Sequence, residues 1–213
     1  MDQHMESRAI KFAFETPTLA ESFSDLSGCE YSSEPYPHAV FEQIFSQDFY
    51  HTLSRFLKDS STEWNLVHVP QFYEDYELVF DREVLPDNLV SMLGETHLSE
   101  MKRLIEKTFN AVLLDKVSIE AHKLIPGQEI RLHTDNDYSE SHRLIIHLND
   151  TWEDKYGGFF VVFNSANPQD INRVVRPLNG NAVAFEIGPK SYHAVSKVHD
   201  HIRFSLVYTF YKA

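Results

Sequence analysis

The stretch VSIEAHKLIPGQEIRLHTD, Val117 to Asp135, is where the chain changes its period. Upstream, apolar residues recur at steps of three to five. From Val117 onward the period drops to two, that of a strand whose side chains alternate between two faces. Pro126-Gly127 divides the stretch into two strands, Val117–Leu124 and Glu129–Asp135. The same reading continues downstream through Arg143–Leu148, Phe159–Phe163, Val174–Pro177, Ala182–Ile187, Tyr192–Val198 and Ile202–Tyr211. Gly157-Gly158, Asn179-Gly180-Asn181 and Gly188-Pro189 supply further turns. Eight short strands with no helices between them predict an all-β sandwich or barrel half.

Working outward from there, Val40, Ile44, Phe49, Leu53 and Leu57 read as helical over Ala39–Leu57. Ser46 is the expected N-cap of a helix reaching about Lys58. Met101, Leu104, Ile105, Phe109 and Val112 form one apolar stripe of a second helix over 98–112. Between the helices, Pro70 to Asp87 has little regular period and reads as a long loop or irregular hairpin, a candidate lid. Residues 1–37 read as an N-terminal extension, either a flexible arm or a strand laid on the domain. The remainder, 38–213, reads as one domain, with helical support over 38–115 and a β core over 116–213.

The composition narrows the chemistry. The 213 residues include 32 acidic and 19 basic side chains, twelve histidines and one cysteine, for a net charge of −13. One cysteine cannot build a disulfide, a zinc ribbon or an iron–sulfur cluster, so a bound metal must be held by histidine and carboxylate. The acidic balance argues against nucleic acid and against an anionic membrane surface. No run of eighteen apolar residues occurs, and Met1 to Ala13 lacks the apolar stretch of a signal peptide. A cytoplasmic location is the expectation.

Among the twelve histidines, His133 stands out. His133 and Asp135 share one face of a strand, with Thr134 on the other. An imidazole and a hard carboxylate at that spacing suit Fe(II) and leave coordination positions open. His193, at the start of a later strand, is the best candidate for a third ligand; 57 residues separate it from Asp135. Ten positions further stands Arg203, which shares a face with Ser205 and Val207, while Phe204, Leu206 and Tyr208 share the other. A guanidinium and a hydroxyl on the inner face of a strand suit a carboxylate.

This ordered set resembles the Fe(II)- and 2-oxoglutarate-dependent dioxygenases, and within them the prolyl-4-hydroxylase-like group. Further residues carry the likeness: Ile125-Pro126-Gly127 before the triplet, Asp135-Asn136, Leu148-Asn149, Trp152 and Gly157-Gly158-Phe159. The resemblance implies a double-stranded β-helix, a jelly-roll or cupin-like core buttressed by N-terminal helices. It implies Fe(II) on His133, Asp135 and His193. It further implies 2-oxoglutarate paired with Arg203 and supported by Ser205, Val207 and His147, with O2 as the other co-substrate. His147 stands where close relatives often carry a tyrosine. Ile125 replaces another tyrosine and makes prolyl hydroxylation less secure as the specific reaction. Asp135 keeps the carboxylate that halogenating relatives lack, so hydroxylation is expected.

The substrate implied is an amino acid, a peptide or a carrier-tethered amino acid. Arg131, Arg143, Tyr73 and Tyr76 are candidates to meet it, with an internal ion pair the favoured role for Arg131. The acidic residues around Tyr73 can attract a cationic substrate, although a solvated acidic loop is the simpler reading. A non-catalytic metal- or small-acid-binding cupin-like module is the competing interpretation.

Overall fold

The period-two patterning beyond Val117 is realised as strands in a computed structural model that describes residues 29–136 and 139–213. The greater part of the N-terminal extension, residues 1–28, lies outside the described residues. Twelve strands form one curled sheet: β1 (Cys29–Ser32), β2 (His38–Phe41), β3 (Asn65–Val69), β4 (Tyr73–Val79), β5 (Leu113–Leu124), β6 (Ile130–His133), β7 (Glu140–His147), β8 (Phe160–Phe163), β9 (Ile171–Val175), β10 (Ala182–Glu186), β11 (His193–Val195) and β12 (Arg203–Lys212). Their order is β1-β2-β10-β7-β12-β5-β4-β6-β11-β8-β9, with β3 paired to β4. The ladders are antiparallel. The join between β4 and β6 is the single pair Tyr73–Ile130, so the sheet folds over at that point. This is the jelly-roll form of the double-stranded β-helix.

Strand parity sorts the core into two layers. On β12, Phe204, Leu206, Tyr208 and Phe210 face the helices, and on β7 so do Leu144 and Ile146. The opposite faces, carrying Val207 and Ile145, meet Phe160, Val162 and Val195 from the smaller layer inside the barrel. Helices α1 (Gln47–Lys58) and α2 (Glu95–Phe109) cover the outer face. Ser46 caps α1 as expected, accepting from the Phe49 amide. Asn110, in the left-handed conformation at φ 51°, ends α2.

Three segments differ from the sequence reading. His38–Phe41 is a strand rather than the start of a helix; it fills the gap between β1 and β10, and so short an apolar run fits either period. The irregular lid expected over Pro70–Asp87 contains β4, hairpin partner of β3 and neighbour of β5. Two of its inward residues, Asp75 and Glu77, are carboxylates, so the alternation carries no clear apolar signature. Third, Cys29–Ser32 of the extension is an edge strand on β2, so the arm alternative fails for those residues. The segment expected as helical support therefore holds three complete strands besides its two helices.

Candidate metal and co-substrate site

His133 and His193 are register partners on β6 and β11, which brings residues 60 positions apart into one ladder rung. Their ring centroids lie 4.3 Å apart. Asp135, just past the end of β6, turns its carboxylate between them: Oδ1 is 3.2 Å from His133 Nε2 and Oδ2 is 3.3 Å from His193 Nε2. The three side chains offer ligand atoms all within 4.8 Å of one another.

The tautomers follow from the partners. His133 Nδ1 lies 2.7 Å from the Arg131 carbonyl and His193 Nδ1 lies 2.8 Å from the Ser191 carbonyl. A carbonyl only accepts, so each Nδ1 carries a hydrogen, and Nε2 is the ring atom turned toward the Asp135 carboxylate. Both Nε2 atoms converge on that one carboxylate. Burial pushes the Asp135 carboxyl up, but the neighbouring His193, His133 and Arg143 outweigh it and hold it well below the usual range. Burial also lowers the pKa of His193, which opposes relief by protonation. Asp135 Oδ2 is buried and makes no well-formed hydrogen bond. Two imidazole nitrogens and a carboxylate converging on one point form a donor set that suits a divalent cation.

Beside the triad lies a cavity of about 450 Å³, in the size range of small-molecule sites. Arg203, Ser205 and Val207 line it, as their shared face on β12 requires. Arg203 is 1% exposed. Its Nε donates to the Gly158 carbonyl at 2.9 Å and one terminal nitrogen donates to Ser205 Oγ at 3.2 Å. No carboxylate pairs with it among the described residues, and burial pulls the guanidinium down to about 10. A buried cation without a counter-ion is a site for an anion.

His147 has a different place from the one expected. It is fully buried and does not line the cavity; its Nδ1 accepts from Arg203 at 3.4 Å. Burial, then the nearby Arg203 charge, hold its pKa well below 6.5, so it is neutral with its hydrogen on Nε2. It orients the arginine.

Gly157 and Gly158 hold the other side of Arg203. Both have φ of +66°, and a Cβ on Gly157 would lie 1.9 Å from the Lys197 carbonyl oxygen. A Cβ on Gly158 would press on Arg203 Cδ and Trp152 Cζ2, each at 3.1 Å. Trp152 Nε1 donates to the Gly157 carbonyl, and buried Asn149 joins the end of β7 to Pro177 and Phe204.

Arg143 and Tyr73 line the cavity; Arg131 and Tyr76 do not. Arg143 Nε is 3.3 Å from Asp135 Oδ2, and Arg143 also pairs with Glu140 at 3.0 Å. Arg131 points to solvent beside Glu129, at 3.5 Å, which realises the ion pair expected of it. Tyr76 lies on the opposite face of β4 from Tyr73, against Lys123.

Glu120 and His122, on the inner face of β5, are cavity residues that the sequence reading missed. The register sets Glu120 opposite Val207 and His122 opposite Ser205. Alternation with Arg203 and Ser205 would have found them had the pairing been known. A larger hollow, about 640 Å³, lies between α1 and residues 83–88; histidine and metal-ligand clusters are absent from its lining.

Residues 119–211 match the model of the 2OG-Fe(II) oxygenase superfamily. The match covers the β core and, with it, the residues of the triad, Arg203 and Ser205. Members of that superfamily use Fe(II), 2-oxoglutarate and O2, and the donor set formed by the triad fits such an ion. In sequence, no curated protein matches the chain. Solved structures similar to it include a Pseudomonas putida prolyl-4-hydroxylase, with TM-score 0.67 and 19% identity over 83% of this chain and 92% of that one. A Trichoplax adhaerens prolyl hydroxylase, solved with a hypoxia inducible factor peptide fragment, gives 0.66 at 13% identity over 82% and 83%. A viral collagen prolyl hydroxylase from Paramecium Bursaria Chlorella virus-1 gives 0.60 at 13% identity over 83% and 96%. At these identities the likeness establishes that this chain shares their fold.

Proposed function

We propose that the chain is an Fe(II)- and 2-oxoglutarate-dependent dioxygenase that hydroxylates an unactivated C–H of an amino-acid or peptide side chain, with release of succinate and CO2. The observation that carries this reading is the pairing of two unmet demands in one cavity. The Nε2 atoms of His133 and His193 converge on the Asp135 carboxylate in the geometry of a metal's donor set, and the Arg203 guanidinium is buried with no carboxylate paired to it among the described residues.

When bound, the iron and 2-oxoglutarate supply, with dioxygen, the oxidising power that inserts oxygen into the C–H bond. His133, Asp135 and His193 would hold the metal, with the ring hydrogens on Nδ1 keeping both Nε2 atoms free for it. Arg203 would meet the distal carboxylate of 2-oxoglutarate as a charge-assisted pair, with Ser205 as the supporting hydroxyl. His147 and the Gly158 carbonyl keep the guanidinium aimed. Val207, Val195, Ile145 and Phe160 line the cavity with apolar surface and exclude water from the reacting groups.

The test is the visible absorption that 2-oxoglutarate gives on chelating protein-bound Fe(II) without oxygen. It should form in the native chain and be lost in Asp135→Ala. Undiminished absorption in that variant would overturn the ligand assignment, and its absence from the native protein at saturating ligand would favour the non-catalytic module.

A further inference from the structure

The wall of the cavity carries more acid than the chemistry proposed above uses. Its cations are committed. Arg143 lies against Asp135 and Glu140, and Arg203 awaits the co-substrate carboxylate. His122 is clamped between two carboxylates, with Nδ1 2.7 Å from Asp75 Oδ2 and Nε2 3.2 Å from Glu120 Oε1. Each ring nitrogen faces a carboxylate of a different residue, and together the two outweigh burial and raise the ring to about 9, so it stands as an imidazolium at neutral pH. That leaves Glu77. It is half-buried in the cavity and has no cation within 4.0 Å among the described residues; it accepts a hydrogen bond from the Tyr73 hydroxyl at 3.4 Å. The neighbouring Asp75 is fully buried, and its Oδ1 accepts no hydrogen bond. A carboxylate oxygen of each, with a ring nitrogen of His122, lie within 4.8 Å of one another.

Two ligand chemistries fit clustered carboxylates, a second metal ion or an organic cation. The imidazolium decides between them: a ring with both nitrogens protonated has no lone pair to give a metal. Phe72 and Tyr73 add aromatic surface to the same wall, and an ammonium or guanidinium gains from an aromatic face as well as from the carboxylate. With Fe(II) and the dianionic co-substrate cancelling each other, the cavity keeps an excess of negative charge.

We infer that Glu77, backed by Asp75 and flanked by Tyr73, anchors a cationic side chain of the substrate, an ammonium or guanidinium of the lysine or arginine class. This rests on the proposed function, since it supplies that reaction with its substrate class.

The experiment uses the whole chain with Fe(II) and 2-oxoglutarate without oxygen, titrated with the blocked amino acids Nα-acetyl-lysine, Nα-acetyl-arginine and Nα-acetyl-norleucine methylamides. One cationic probe should bind roughly tenfold or more tighter than the neutral norleucine compound, as a buried charge-assisted contact requires. In Glu77→Gln that preference should vanish while the chelate absorption persists. Equal binding of norleucine, binding by neither cation, or an undiminished preference in Glu77→Gln overturns the inference. A second equivalent of Mn(II) per chain that Glu77→Gln abolishes overturns it in favour of a metal site. The comparison of lysine with norleucine in the native chain stands even where the variant fails to fold. Absence of the chelate absorption from the native chain instead removes the underlying function, so the two failures are read separately.

Discussion

Replacing Arg203 by methionine separates a binding arginine from a structural one. Burial pulls the guanidinium down to about 10, well below its ordinary value. At about 1.4 kcal/mol per pH unit, this charge costs the folded protein roughly 3 kcal/mol. The penalty is fully present at neutral pH, because folded and unfolded values both lie above it. The methionine variant removes that cost and keeps most of the apolar stem. It also removes the charged donor's bonds to Gly158 and Ser205, worth about 1.5 kcal/mol or somewhat more each. The two effects nearly cancel, so the ligand-free melting temperature should move by only a few degrees, at about 2–4 °C per kcal/mol for a chain of this size. The response to 2-oxoglutarate should differ sharply. A ligand at a thousand times its Kd stabilises the native protein by about 4 kcal/mol, a rise of roughly 8–16 °C. Losing a buried charge partner weakens binding by about 2–5 kcal/mol, which removes most of that rise. Thermal unfolding of both proteins with Mn(II), with and without 2-oxoglutarate, reads both quantities. A ligand-induced rise of native size in Arg203→Met refutes the assignment, and a collapse of the ligand-free protein shows that the guanidinium serves folding.

Further outcomes follow from the same geometry. His133→Ala or His193→Ala should abolish the stabilisation by Mn(II), since each removes one of three ligands, and calorimetric titration reads it. Gly158→Ala imposes φ of +66° on alanine and crowds Arg203, so it should cost about 1–3 kcal/mol and weaken 2-oxoglutarate binding. Burial works against charge on His122, but Asp75 and Glu120 outweigh it and raise its pKa to about 9. Its stabilising contribution is therefore fully present below about pH 6.5 and lost as the pH rises toward 9; a denaturation series across that window should show the decline, flattened in His122→Leu. That variant leaves Asp75 buried without its partner and should lose about 3–5 kcal/mol at neutral pH.

The local patterns were legible wherever one face of an element is apolar. Parity alone set Arg203, Ser205 and Val207 on one face and Phe204, Leu206 and Tyr208 on the other, and the two core layers follow that division. Ser46 announced α1. Where polar residues face inward the same reasoning failed: β4 turns Glu77 toward the cavity and buries Asp75 behind it, so its period-two signal was hidden and the segment read as a loop. Tyr76 and Tyr73 were treated alike, yet they lie on opposite faces of that strand.

The chain by itself determined the strand period, the oxygenase-like order of His133, Asp135, His193 and Arg203, and the exclusion of thiolate metal sites, because these depend on residue type and short spacing. Tertiary structure alone decided the rest. Cross-strand register brought His133 against His193 and set Glu120 and His122 beside Ser205 and Val207. Burial left Arg203 without a paired carboxylate among the described residues, set His147 against the arginine rather than in the cavity, and left Glu77 with no ion pair within 4.0 Å among them. Such demands arise only when distant segments exclude water from the same small volume, and no local pattern in a sequence records which segments those will be.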